Sequence, residues 1–286
     1  MTPAVVVPER AREKVNAKRK GRKAGVLSAS VRQGLLHTRI LPTAVAKAAD
    51  HWWWADTGEF LSVAETARAF GIREGGALWR ALVSGEHATE IQAVSMLGRA
   101  VHVAAVGMVL ERALRDPLDE EGIIRTEGEV LTYGSAWSGV DTVAEALTQV
   151  MWLDQRWRYV FASEKAADSR KVLLAAWGAR GLRKERVHKD AAGAAAVSEA
   201  YVDLYVATPE CRHHSKRNHK STRKRKAEEL AKVRRSFRYI SRARPRAVVV
   251  ENVDEAEVVV AISSLLGRIP GLSLIHISEP TRPYSI

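Results

Sequence analysis

Cysteine occurs once in the 286 residues, at position 211. No disulfide framework can form within the chain, and a lone thiol suits a reducing compartment. Long apolar runs are missing as well. None reaches the roughly 20 residues of a membrane-spanning helix, and residues 1–30 lack the apolar centre of a secretory leader. These absences point to an intracellular protein with no membrane partner, in cytoplasm, nucleoid or nucleus according to its source. Acid is scarce in one region. Residues 212–246 hold fifteen Lys/Arg against Glu228 and Glu229, more positive charge than the +12 of the whole chain. A second basic run, residues 9–23, sets eight Lys/Arg against two Glu. Charge concentrated in this way favours a polyanion, because neutralised phosphates release condensed counterions. In the 9–23 run the simpler reading is a solvated arm. In 212–246 the charge is threaded with Leu230, Val233, Phe237 and Ile240 at helical spacing, which argues for a packed helix.

What is present divides into two rhythms. Residues 1–60 form a basic, partly disordered arm that ends in the Trp-rich stretch HWWWADTGEF. Residues 61–71 (LSVAETARAFG) predict a helix with Ser62 as N-cap and Glu65 at the capping-box position. Residues 91–114 predict one long apolar helix. From residue 129 short apolar runs alternate with helical stretches. Strands are expected over 129–133, 158–163, 186–188, 202–207 and 247–251, and helices over 142–152 and 166–177. Such alternation implies parallel crossovers and an α/β sheet covered on both faces.

Function in such sheets gathers at the carboxyl ends of the strands. The first strand leads to Ser138, Gly139 and Val140 and a helix start. A glycine there lets backbone approach a ligand, and a helix N-terminus attracts negative charge. Glu164 follows the second strand, where an acid can accept hydrogen bonds from ribose hydroxyls. Asp190 follows the third, Pro209-Glu210-Cys211 the fourth and Glu251-Asn252-Val253 the fifth. The pattern reads as a nucleotide-like cofactor across three strands, beside a cysteine and a glutamate on the next two.

The segments WSGVD (137–141), ASEKA (162–166), HKDA (188–191), TPECRHHS (208–215) and VVVENV (248–253) resemble the motifs of DNA (cytosine-5) methyltransferases. The forty residues from Cys211 to Glu251 suit that family, as does the basic-Pro-basic turn Arg244-Pro245-Arg246. Residues 61–72 resemble its ninth motif and residues 92–114 its tenth, although both precede the first motif here. That order is a circular permutation, and the resemblance covers about 61–267. It implies a Rossmann-like class I S-adenosylmethionine sheet and a catalytic domain over 61–271. It also implies a cofactor held by Trp137, Ser138, Gly139, Val140, Glu164, Asp190 and Pro209, with Gly98 and Ala100 from the tenth-motif segment.

The implied chemistry is methyl transfer to cytosine C5. Cys211 is the nucleophile that adds to C6, its thiolate favoured by neighbouring positive charge. Glu251 bonds the base at N3 and its exocyclic amine. The base must leave the duplex to reach them. Arg212, Ser215, Lys216, Arg217, Lys220 and Asn252 are the expected nucleic-acid contacts. The implied partner is DNA, with RNA open, and the complete protein is expected to be a monomer. The competing readings of Cys211 are a buried small hydrophobe and a Cys-x-His-His-x4-His zinc site. That zinc spacing fits no common structural site, and no metal is assigned.

Several positions depart from the family pattern. Asp141 stands for a glycine, Glu210 for a proline, Arg212 for a glutamine and Arg99 for an asparagine, while Lys165 replaces an apolar residue. They keep open a degenerate, non-catalytic nucleic-acid-binding domain, beside a transfer-RNA methyltransferase of the same family. Residues 272–286 begin with LSLIHISEPTR, which matches the translation of a sequencing adapter, and are set aside as an artefact. The eighth motif, the target-recognition region and the last two strands are then expected to be missing. The fifth strand would lie at a sheet edge, and the chain as written is expected to be poorly soluble and not to methylate DNA.

Overall fold

The computed structural model describes residues 61–115, 130–150, 156–191, 193–210, 213–214, 221–252 and 256–268. The arm 1–60 and the tail 272–286 lie outside the described residues. So do Cys211, Arg212, Ser215, Lys216, Arg217 and Lys220 among the expected site residues. The chain divides into two compact units. One comprises 1–106, 139–145 and 167–177, and the other 107–138, 146–166 and 178–286.

The second unit holds a five-stranded parallel sheet of order β3-β2-β1-β4-β5. The strands are β1 (Leu131–Ala136), β2 (Trp157–Ser163), β3 (Val187–His188), β4 (Leu204–Ala207) and β5 (Ala247–Val250). The chain passes from β1 to β2 and β3 on one side and then returns to β4 on the other, which makes the β1/β4 boundary the switch point of a Rossmann-like α/β fold. As expected, β5 is an edge among the described strands.

β1 begins later and runs further than the sequence suggests, because Gly134 and Ser135 read as loop residues. They lie instead in a buried strand, where the Phe161 ring fills the space a side chain at 134 would need. A Cβ there would stand 2.6 Å from that ring. Register between β1 and β4 is pinned by Asp203. Its Oδ2 accepts the Thr132 N–H (2.8 Å) and hydroxyl (2.5 Å), and its own N–H donates to the Thr132 hydroxyl (2.9 Å). β4 is shorter than the expected 202–207, although the Asp203 N–H still donates to the Thr132 carbonyl (3.0 Å) and its carbonyl accepts the Ala247 N–H (2.9 Å).

The apolar stripe of the basic segment packs as the sequence implies. Leu230 and Val233 on α8 (Arg223–Ser236), Phe237, and Ile240 on α9 (Arg238–Ala243) are all buried. Val233, Phe237 and Ile240 join a core with Phe161, Tyr205 and Tyr239. Ring centroids there lie 4.7 Å apart for Tyr205–Tyr239 and 5.0 Å for Phe161–Tyr239, a spacing worth about 0.5–1.5 kcal/mol per pair beyond burial. Arg244, in the basic-Pro-basic turn, takes φ +50° and closes α9 by donating to the Ile240 carbonyl. A short α7 (Ala194–Val197) and α10 (Ala256–Leu266) complete the unit's later elements.

The first unit is built from α1 (Val63–Ala69), α2 (Ala77–Val83), α3 (Glu90–Leu97) and the start of α4 (Val103–Arg115), with the start of α5 (Thr142–Gln149) and all of α6 (Ala167–Trp177). The expected Ser62–Glu65 capping box forms in full. The single helix expected over 91–114 does not; two helices separated by residues 98–102 stand there. Tertiary bonds take over where the helical ladder stops. The Val103 N–H donates to the Phe70 carbonyl (2.9 Å), and the Val101 carbonyl accepts the Thr142 hydroxyl (2.7 Å). Gln92 reaches Asp168 on α6 at 2.7 Å.

Candidate functional site

At the end of β1 the loop is fixed by serines. Ser138 donates its N–H to the Ser163 carbonyl (3.0 Å), and its hydroxyl lies 2.5 Å from that of Ser135, which in turn meets the Tyr159 hydroxyl at 2.6 Å. The expected cofactor residues Trp137 and Ser138 therefore sit on a hydrogen-bonded platform spanning the ends of β1 and β2. Trp137 takes φ +54° and packs against the aromatic core. Glu164 is held to the end of β3 by its N–H on the His188 carbonyl (2.9 Å), and its Oε1 accepts the Ala166 N–H at 2.7 Å. Asp190 is exposed in the turn after β3, with its carbonyl bonded to the Gly193 N–H.

In the first unit, Gly139 has φ +58°, and among the described residues no atom lies within 4 Å of where its Cβ would be. Val140 is buried, and its carbonyl accepts the Trp177 indole N–H at 3.4 Å. Asp141, which stands where the resembled family has a glycine, is buried with φ +59° and accepts the Ala144 N–H at 3.0 Å. Its carboxylate caps α5, a use that Asp meets at little cost because it tolerates the left-handed region. Gly98 ends α3, and Ala100 donates to the Leu97 carbonyl; both sit in the break between α3 and α4.

The ends of β4 and β5 are joined. Ala207 pairs with Val250, and the Glu251 N–H donates to the Ala207 carbonyl at 3.0 Å. The Asn252 amide donates to the Pro209 carbonyl at 3.1 Å. Pro209 is buried, and Thr208 bonds to the Trp137 carbonyl at 3.0 Å. The segment leading to Cys211 is thus tied on one side to β1 and on the other to the Glu251-bearing turn. Asn252, expected to contact nucleic acid, has its amide on the protein's own main chain. Glu251 is exposed.

Sequence reasoning assigned no task to the histidines after Cys211. The structure places two of them over α8. His213 donates its N–H to Glu229 Oε2 (3.1 Å), while His214 Nε2 lies 3.2 Å from the Lys226 carbonyl and 3.8 Å from the same Glu229 oxygen. His214 and Glu229 are buried, and burial pushes the Glu229 carboxyl above the usual carboxylate range. A signal was present: Glu229 falls on the apolar stripe with Leu230 and Val233, whereas Glu228 faces solvent. Among the described residues no three His, Cys, Asp or Glu side chains gather as metal ligands. None of the described helices is long and apolar enough to cross a membrane.

No known family profile matches the chain, and no curated protein does. Among solved structures it is similar to a protein described as an RNA methyltransferase from Pyrococcus horikoshii, at 13% identity and TM-score 0.34, over 63% of this chain and 67% of that one. It is also similar to the DszA carbon methyltransferase, at 13% identity and TM-score 0.32, over 71% of this chain and 49% of that one. A third similarity is to a type I restriction-modification methyltransferase subunit from Streptococcus thermophilus, at 14% identity and TM-score 0.25, over 53% of this chain and 41% of that one. The chain spans less than half the length of the latter two.

Proposed function

We propose that this chain carries the catalytic fold of an S-adenosylmethionine-dependent methyltransferase that acts on cytosine C5 in DNA. The observation that carries the proposal is the junction of the Thr208-Pro209-Glu210 segment, which precedes Cys211 in the chain, with Glu251-Asn252. The two lie at the carboxyl ends of paired neighbouring strands and are bonded through Asn252 and Pro209. They stand beside the switch point of the sheet, where such folds bind ligands.

The residues present fit the proposed methyl donor. Gly139 has a left-handed backbone and open space on its Cβ side. Glu164 and Asp190 supply carboxylate acceptors at the ends of β2 and β3, suited to ribose and amine hydrogens. Trp137, Ser138, Val140 and Pro209, with Gly98 and Ala100, are the remaining residues proposed to hold it. When bound, S-adenosylmethionine supplies an electrophilic methyl group on a sulfonium.

In this reading the Cys211 thiolate forms a bond to C6 of the flipped base and leaves the C5–C6 electron pair at C5, where the donor, when bound, would supply its methyl group as the S–CH3 bond breaks and a neutral thioether leaves. Glu251 bonds the base at N3 and its exocyclic amine, stabilising the adduct as charge builds on the ring. Loss of the C5 proton to water then re-forms the double bond and expels the thiolate. Arg212, Ser215, Lys216, Arg217 and Lys220 are proposed to meet phosphate and the flipped nucleotide, which gives binding a steep salt dependence.

Trapping tests this directly. The chain, completed beyond residue 271, is incubated with S-adenosylmethionine and duplex DNA bearing 5-fluorocytosine, which blocks loss of the C5 substituent. A denaturation-resistant protein–DNA adduct is expected from the completed protein and none from its Cys211→Ser variant. An adduct that survives Cys211→Ser, or equal trapping on transfer RNA alone, would sink the DNA-cytosine reading.

A further inference from the structure

Two residues beyond Cys211 the chain is fastened to α8 by a contact that the methyl-transfer chemistry does not itself require. We propose that Glu229 and His214 are positioning residues: they clamp the nucleophile-bearing loop to α8 and so set how Cys211 is presented to its target. The catalytic consequence rests on the cytosine-methylation reading, whereas the clamp stands on its own geometry.

Three observations carry it. First, Glu229 occupies the buried face of a helix whose exposed face is crowded with Lys and Arg, yet it is 6% exposed. Holding a carboxylate there is costly unless it is used. Second, its Oε2 is spent on the main-chain N–H of His213 (3.1 Å), so it fastens loop backbone rather than a surface cation. Third, His214, 3% exposed, lies across the same helix with Nε2 on the Lys226 carbonyl at 3.2 Å, anchoring the next residue of the loop one turn earlier on α8. Within the described residues Glu229 Oε1 and the Nδ1 atoms of His213 and His214 have no hydrogen-bond partner.

The position in the chain gives the clamp its consequence. Upstream of Cys211 the segment is held by Thr208 and by Asn252 on Pro209. Downstream it is held at His213 and His214. Anchored residues thus stand on both sides of position 211 in the chain, Pro209 before it and His213 after it. Loss of the downstream anchor is proposed to loosen the intervening span, while the sheet keeps its own ladder bonds.

The test is hydrogen exchange by mass spectrometry on the full chain, reading a peptide that covers residues 208–221. Glu229→Ala is expected to speed exchange in that peptide about tenfold, with peptides from β1 and β4 unchanged, because only a local opening is made easier. Glu229→Gln is expected to restore slow exchange, since its carboxamide oxygen still accepts the His213 N–H. Glu228→Ala, on the exposed face, is expected to change nothing. His214→Ala provides a second route should Glu229→Ala fold poorly. Unchanged exchange in both alanine variants, or acceleration of all peptides alike, overturns the clamp.

A second readout separates this from the enzymatic reading. With 5-fluorocytosine DNA, Glu229→Ala is expected to slow covalent trapping about tenfold while DNA affinity stays within about twofold, a split that a merely structural residue would not produce. If the completed protein forms no adduct at all, the cytosine-methylation reading fails, and the exchange experiment still decides the clamp.

Discussion

Two buried carboxylates in the sheet-bearing unit are built from the same parts and used in opposite ways. Glu199, 4% exposed, is saturated. Arg186 Nη1 bonds one oxygen at 2.5 Å, His188 Nε2 bonds the other at 2.6 Å, and the Ala200 N–H adds a third contact. Glu229, 6% exposed, holds one backbone N–H and a histidine at 3.8 Å, with its second oxygen unpartnered among the described residues. The first is a staple that fixes the end of β3, where His188 in turn accepts the Glu164 N–H on its carbonyl. The second is an unsaturated latch beneath a loop. Satisfaction, rather than burial or residue type, separates the two, because a low-dielectric site rewards complete networks and penalises partial ones.

The largest break in this comparison is expected from Glu199→Ala. It strands His188 and Arg186, and because Arg186 is half exposed the loss is put at about 2–3 kcal/mol, below that of a fully buried pair. Urea denaturation measures it, and a loss under about 0.5 kcal/mol would show that Glu199 is no staple. Next comes Glu199→Gln, which keeps the shape but forfeits the charge-assisted bond to Arg186. A loss of about 1–2 kcal/mol is expected by the same measurement.

Asn252→Ala, which frees the Pro209 carbonyl, is expected to cost about 1 kcal/mol in stability. It should also slow trapping of 5-fluorocytosine DNA; normal trapping would show that the Pro209 tie is dispensable.

The smallest effect, and the one that inverts the sign, belongs to Glu229→Gln. Burial raises the folded-state pKa of Glu229 above its unfolded value, with His213 and His214 opposing and Glu210 assisting. For an acid shifted upward, the stability contribution is complete below the unfolded pKa of about 4.3 and is lost as pH rises through the folded value. Glu229→Gln should therefore match or slightly exceed the parent in melting temperature at pH 8. The two should converge as pH falls toward 4. A glutamine variant that melts well below the parent at pH 8 would show that the ionised carboxylate is a net stabiliser, like Glu199.

Much of the sheet was legible because β-branched and aromatic runs such as RYVFAS and AVVVE can do little else at that length, and because glycine, acid and proline mark strand ends. Gly134 and Ser135 misled the reading of β1, since a glycine in a strand is intelligible only once Phe161 is seen to fill its face. Residues 91–114 misled it in the other direction. Apolar periodicity continues through Gly98–His102, and only the bonds to Phe70 and Thr142 show that the helix stops there. Asp141 stood out only as a departure from a glycine, and its use as a helix cap shows in the geometry.

The sequence by itself determined the strand succession, the residues at each strand end, and the buried stripe that runs through an otherwise basic helix, because these follow from local periodicity and turn chemistry. Tertiary structure alone decided the use of each polar group. It turned Asn252 toward Pro209, Asp203 toward Thr132 and Glu229 toward His213. Those choices depend on which backbone groups the sheet order leaves without partners, and that is a property of strands brought together rather than of any segment read alone.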